Sequence, residues 1–454
     1  MADEKKIKLF EEVPVSKAVV TMAIPTVISS LVMVIYNLAD TYFVGMLNNP
    51  IENAAVTLAA PVLLAFNAIN NLFGVGCSSM MSRAMGRKDY DTVKKTSAFG
   101  FYSSLIFGLL ISVICFVFNS PLLHMLGTDT GTYFATAAYL KWTVILGAAP
   151  SILNVVLAYF VRAEGATLHA SIGTMSGCLL NIVLDPLFIL PGGLNMGAAG
   201  AGAATFISNC VACLYFFVLI AVKHNKTLVC IKPTMFRFNK QIMSEVFVVG
   251  IPAAIQNLLN VTGMTILNNF TSKYGADAVA AMGIAQKINM VPMYIALGIS
   301  QGIMPLVSYN YSSGNIPRMK KTVTFSFKAT SAIMIFATIC YYFGAEFLMK
   351  MFIDTECIIN YGVRFLRGLC LAQPFLNMDF LAVGVFQATG MGKMSLIFAV
   401  MRKIVLEIPA IFILNAIFPL YGLAYAQFSA EIILASVAVV VLIKLFKKLE
   451  KSAT

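Results

Sequence analysis

Apolar runs of about 20 residues, each long enough to cross the ~30 Å core of a bilayer as a helix, recur along nearly the whole chain. They fall near 18–44, 53–81, 97–118, 132–160, 167–190, 197–222, 243–271, 277–308, 323–344, 357–387, 395–418 and 421–445. Short polar or glycine-containing connections separate them. The pattern predicts an all-α integral membrane protein with about twelve transmembrane helices.

Composition narrows this further. Of 454 residues, 59% are hydrophobic and 11% charged, whereas soluble domains average about 25% charged. A soluble enzyme with a solvated shell is excluded. The formal charge of +12 could suggest nucleic acid, but its placement argues against that partner. Basic residues cluster in alternate connections: Lys5, Lys6, Lys8 and Lys17, then Arg83, Arg87, Lys88, Lys94 and Lys95. The clusters resume at Lys223, Lys226, Lys232, Arg237 and Lys240, at Arg318, Lys320, Lys321 and Lys328, and at Lys444, Lys447, Lys448 and Lys451. The connections 45–52, 191–196 and 416–421 hold no Lys or Arg. This is the positive-inside pattern, and it puts both termini in the cytoplasm. Residues 1–17 are polar and lead into an uninterrupted span, so the first helix is expected to remain as an anchor.

A second pattern divides the chain. Asn181-Ile182-Val183-Leu184-Asp185-Pro186 is echoed half a chain later by Lys403-Ile404-Val405-Leu406-Glu407. Ala23-Ile24-Pro25 pairs in the same way with Gly250-Ile251-Pro252. Gly86-Arg87-Lys88-Asp89 matches the region of Gly314-Asn315, and Arg162-Ala163-Glu164-Gly165 matches Gln387-Ala388-Thr389-Gly390. Two pseudo-symmetric six-helix bundles follow. Residues 1–222 form the first, with a cytoplasmic segment 1–17. Residues 223–241 are a cytoplasmic linker, and 242–454 form the second bundle with a basic tail. Six helices per half make the repeat parallel, with a transport path expected between the halves.

Ionisable residues inside such spans are expensive and mark functional sites by default. Odd-numbered helices run outward, which places Asp40 and Asp185 in the outer half of the membrane. Tyr139 and Thr205, early in inward-running helices, lie at a similar depth. Tyr36, Asn37 and Asp40 share one helix face, as do Asn181 and Asp185. These faces can close around one polar pocket. Carboxylates in a low-dielectric pocket can exchange a proton, and carboxylate, amide and hydroxyl oxygens also suit a hard cation such as Na⁺. In the second half, Glu407 and Lys403 are spaced for mutual pairing, and Gln256, Glu407 and Asp379 are candidate substrate or cavity contacts. Glu164 beside Arg162 predicts a local salt bridge.

Other chemistry lacks support. Cys210-Val211-Ala212-Cys213 has redox spacing without the fold context that motif needs. Gly390-Met391-Gly392-Lys393 lacks the spacing of a phosphate loop. No cofactor is expected beyond a coupling ion, H⁺ or Na⁺, and no metal beyond that Na⁺. The 25 methionines and 34 phenylalanines suit either packing or an adaptable lipophilic pocket.

Asp40-Thr41-Tyr42-Phe43-Val44-Gly45, Arg162-Ala163-Glu164-Gly165, Asn181-Ile182-Val183-Leu184-Asp185-Pro186 and Gly197-Ala198-Ala199-Gly200-Ala201-Gly202 are similar to motifs of the multidrug and toxic compound extrusion family. So are the Pro25 and Pro252 helices, and the resemblance covers nearly the whole chain. It implies a monomeric secondary transporter of a bacterial plasma membrane that exports small lipophilic, often cationic, compounds by antiport with H⁺ or Na⁺. It also implies that Asp40, Asn181, Asp185 and Thr205 form the ion-coupling site, that Pro25 takes part in helix bending, and that Glu164 can contact drug or proton. Members that hold Na⁺ in the second half use an acid in helix seven; here Gln256 and Asn257 stand near that place, which favours coupling in the first half. A flippase for lipid-linked precursors, or an exporter of an endogenous metabolite, is the alternative. A membrane-embedded enzyme would need a nucleophile or metal constellation that the sequence lacks.

Overall fold

The computed structural model describes residues 4–47, 49–224 and 226–453. Residues 1–3 of the amino-terminal segment, Asn48 in the 45–52 connection, Asn225 and Thr454 lie outside the described residues, as do the side chains of Lys5, Ser452 and Ala453. Among the described residues every regular element is a helix. Among these same described residues, nine helices are long and apolar enough to cross a membrane. The pairs Tyr133–Leu146 with Ala148–Ala163 and Glu356–Cys370 with Gln373–Ala388 raise the number to eleven if each is one bent span. The remaining span, expected near 395–418, is helical from Gly392 to Ile417 but carries Arg402, Lys403 and Glu407 in its middle.

The two bends have local causes. The first pair turns by 49° after a π-helical stretch, Lys141–Leu146, and Gly147. The second turns by 45° just before Pro374, in the first turn of Gln373–Ala388. Proline lacks the backbone donor that would continue the preceding helix.

Local backbone details repeat in the two halves. Lys88 (φ 60°) precedes Asp89, whose side chain accepts from Thr92 N and caps Tyr90–Val117. Gly314 (φ 78°) precedes Asn315, which accepts from Arg318 N and caps Ile316–Phe343. The paired sequence landmarks also share a left-handed glycine, Gly165 (φ 85°) and Gly390 (φ 78°). These are conformations that a side chain disfavours.

The chain divides into two compact units. One comprises Met1–Glu11 and Ile28–Ala254, the other Glu12–Val27 and Ile255–Thr454. They do not break at the linker. The first span starts in the second unit and ends in the first; the seventh, Lys240–Ser272, starts in the first and ends in the second. Close glycine contacts hold each exchanged start. In the second unit, a Cβ on Gly302 would come within 2.9 Å of Ala23 Cα and Met22 O. In the first, a Cβ on Gly76 would collide with the Val246 carbonyl. Membrane helices associate by such close backbone approach at small residues. Pro25 and Pro252 lie inside these two helices, close to where each changes unit.

Candidate functional site

The first unit encloses a cavity of about 220 Å³. Tyr36, Asn37 and Asp40 face it from helix Val15–Gly45, Tyr139 and Thr143 from the bent pair, and Thr205 and Asn209 from Gly197–Val222. The predicted sharing of one face by Tyr36, Asn37 and Asp40 therefore holds. The Asn37 amide nitrogen donates to the Met33 carbonyl at 2.9 Å, which leaves its oxygen for the cavity.

Asn181 and Asp185 lie behind this wall and are almost fully buried, at 2% and 0% exposed. Thr205 connects them to the cavity. With the Asn181 amide turned so that its nitrogen faces the acid, it donates to Asp185 Oδ2 at 2.8 Å and accepts from Thr205 N at 3.1 Å and Oγ1 at 3.3 Å. Asp40 and Asp185 lie within electrostatic reach of each other. Tyr36 and Tyr139 line the same cavity as Asp40 and Thr205.

The glycine-rich start of Gly197–Val222 explains why Thr205 can come so close. A Cβ at Gly200 would meet the Phe188 carbonyl, and one at Gly202 would stand 3.1 Å from the Tyr139 carbonyl. Glu52 also caps this helix, accepting from Ala198 N at 2.6 Å, a charge well suited to a helix amino terminus. Sequence reasoning passed over Glu52, Thr143 and the Asn154–Asn209 amide contact (3.1 Å). The signal was present only as polar residues in apolar runs. Asp40 in the pocket and Asp185 behind its wall, with the hydroxyls and amide oxygens between them, make a donor set for a proton or a hard cation.

The second unit holds a separate cluster of buried charge. Arg402 reaches Asp379 at 3.3 Å and Glu431 at 2.7 Å, while Lys403 meets Glu407 at 2.7 Å as its spacing predicts. All five side chains are at most 8% exposed. The π-helical segment Met401–Glu407 presents three of them, and such wide turns are frequent at functional sites. Asp379 and Glu407 are thus engaged by protein cations, which fits a structural role better than free contact with substrate. Glu431 was missed, though a lone Glu in the apolar run 421–445 was legible. Gln256 is half-buried and accepts from Gln387 at 3.4 Å.

Glu164 corrects an expectation. Its ion pair is with Lys6 at 2.6 Å rather than with Arg162, and its other oxygen accepts from Thr227 Oγ1 at 3.0 Å and Leu228 N at 2.8 Å. Arg162 instead lies over the Tyr159 ring at 5.3 Å. The reason is long-range: the helix Glu4–Glu11 and the linker both dock at this corner, with Phe10 fully buried against Gly165. Glu164→Gln is expected to speed amide hydrogen exchange in residues 4–11 by about ten-fold, the scale of one charged hydrogen bond. Unchanged exchange would show that the packing of Phe10 alone holds the helix.

Comparisons with known proteins agree with this geometry. The MatE family profile matches residues 25–187 and again 252–413, each match beginning at one of the two span prolines. The chain is 33% identical over 442 residues to "Multidrug export protein MepA" of Staphylococcus aureus (strain MRSA252), covering 97% of this chain and 96% of that protein. It is 34% identical over 455 residues to the protein of the same name in Staphylococcus haemolyticus, covering 99% and 98%. A solved structure described as the outward-facing conformation of a multidrug resistance MATE family transporter superposes with TM-score 0.93 at 25% identity, covering 99% of this chain and 100% of that one. A MOP superfamily transporter from Pyrococcus furiosus gives a TM-score of 0.91 at 25% identity, with 99% of each chain covered. Two successive family matches, the paired backbone landmarks and the multi-pass helical fold agree: the chain belongs to the MatE family of multidrug and toxic compound extrusion transporters.

Proposed function

We infer that this protein exports lipophilic, mainly cationic, small molecules across a bacterial plasma membrane in exchange for H⁺ or Na⁺. The observation that carries this reading is the polar pocket in the first unit, lined by Asp40, with a second carboxylate, Asp185, buried behind its wall and linked to it through Asn181 and Thr205. Two negative charges in a water-poor site repel, and a single bound cation relieves that repulsion. Asp40 and Asp185 hold the ion. Asn181 positions Asp185 through its amide, Thr205 supplies oxygen and links the two layers, and Tyr36, Tyr139 and Asn37 complete the wall.

The breadth of substrates is inferred from relatives that carry the name of multidrug export proteins. Asp40 sits on the part of the first span that belongs to the first unit, while residues 12–27 belong to the second. Ion binding at Asp40 therefore acts on a helix shared by both units. Pro25, which leaves one turn without its backbone donor, is where that helix can bend. Thr26 Oγ1 donates to the Met22 carbonyl at 3.1 Å in the same turn. A coupled cycle requires that ion and drug favour different states or compete. The basic connections support cytoplasmic termini by the positive-inside pattern, and on this reading export runs from that side outward.

Purified protein in liposomes tests this directly. Under an imposed ΔpH or ΔNa⁺, at least one gradient is expected to drive movement of a fluorescent lipophilic cation against its concentration. If neither gradient moves any member of a broad panel of cations, the export reading fails.

A further inference from the structure

The second unit carries a basic cavity that the transport reading does not use. It measures about 560 Å³. Val15 and Ser16, at the start of the first span, form one side; Lys321, Thr324, Phe325 and Lys328 of helix Ile316–Phe343 form the other. Lys320 at its rim is paired with Glu450 at 2.7 Å. Lys321 and Lys328 are exposed and have no ion pair or hydrogen bond among the described residues. The cavity therefore presents two uncompensated positive charges.

The surface that continues from it is apolar. Lys321, Thr324 and Lys328 are followed by Ala332, Ile335 and Ile339 at spacings of three and four, which keeps all of them on one helix face. Ile335, Phe336 and Ile339 are 50%, 68% and 51% exposed. A positive head and an apolar flank thus follow one another along a helix long and apolar enough to span a bilayer.

We propose that this cavity binds the phosphate-bearing headgroup of an anionic phospholipid, with Lys321 and Lys328 as its charge contacts and the acyl chains laid along Ile335 and Ile339. Basic pockets between membrane helices at the headgroup level suit such lipids. The unpaired charge favours an anionic over a zwitterionic headgroup. Phe325 in the wall and the apolar flank beyond Lys328 favour a lipid over free phosphate, which would gain nothing from either. The site is distinct from the ion-coupling pocket and stands whether or not the export reading does.

The test is native mass spectrometry of the full chain in detergent, titrated with phosphatidylglycerol or phosphatidylcholine. Wild type is expected to retain phosphatidylglycerol preferentially. Lys321→Gln and Lys328→Gln should each weaken that binding about five-fold, and the double variant roughly thirty-fold, the effect of about one charge contact apiece. Glu450→Gln frees Lys320 and should strengthen it, so the proposal is tested in both directions even if one variant fails to fold. Phosphatidylcholine binding should stay constant throughout. The proposal is overturned if the double lysine variant holds phosphatidylglycerol as wild type does, or if wild type shows no preference between the lipids. It is likewise overturned if millimolar inorganic phosphate displaces the lipid, which would make this a site for the free ion. Lipid retention is the readout, so these results leave the transport assay to decide export on its own.

Discussion

Asp185→Asn is expected to abolish gradient-driven efflux to the level of empty liposomes while leaving the protein folded. Asparagine keeps the size of the side chain but can neither release a proton nor carry the charge that would hold Na⁺. The fold should survive because removing one of two carboxylates that repel each other in a buried pocket relieves strain rather than creating it. Asp185 is fully buried against Asn181, and Asn181 can reorient its amide to meet a neutral partner. The discriminating measurement pairs transport with thermal unfolding and with equilibrium binding of the fluorescent cation. Loss of coupled transport with retained binding and stability assigns Asp185 to coupling. Transport that continues under the same gradient would remove Asp185 from that role, and Asp40→Asn would then be the next variant to make.

The second large effect lies in the other unit and concerns stability. Arg402→Met is expected to destabilise the protein by about 3–5 kcal/mol, because it leaves Asp379 and Glu431 buried without their shared cation. Breaking one side of a buried ion network costs far more than the network contributes, since isolated charges stay in low dielectric. The triple variant Arg402→Met, Asp379→Asn, Glu431→Gln should recover most of the loss. Chemical or thermal unfolding in detergent measures both. A single variant as stable as wild type would show that Lys403 takes over the neutralisation, and the cluster would then have to be read as one shared charge system. With three carboxylates against two cations, Asp379 and Glu431 have no spare cation to replace Arg402.

Much of the fold was legible before any coordinates. Apolar runs of spanning length located the helices, and paired landmarks announced the duplication. Those landmarks turned out to be backbone devices: a left-handed residue followed by an Asx cap at Lys88-Asp89 and Gly314-Asn315, and a left-handed glycine at Gly165 and Gly390. Lys403 and Glu407 were predicted to pair because both sit on one helix. Facing was harder. In a bilayer the lipid-exposed and packed sides of a helix are both apolar, so periodicity loses the contrast it has in water. Tyr36, Asn37 and Asp40 could be grouped because they share a helix. That Thr205 bridges them to Asn181 and Asp185 depended on how closely glycines let separate helices approach.

Sequence alone therefore determined the membrane class, the two-fold repeat and the residue types of the polar pocket, since each follows from local length, charge placement or helix spacing. Tertiary structure decided which distant charges meet. It gave Glu164 to Lys6 instead of Arg162, gathered Asp379, Arg402 and Glu431 into one cluster, and assigned the starts of the first and seventh spans to the opposite unit. Partners separated by tens to hundreds of residues leave no periodic trace in the chain, because only packing brings them within reach.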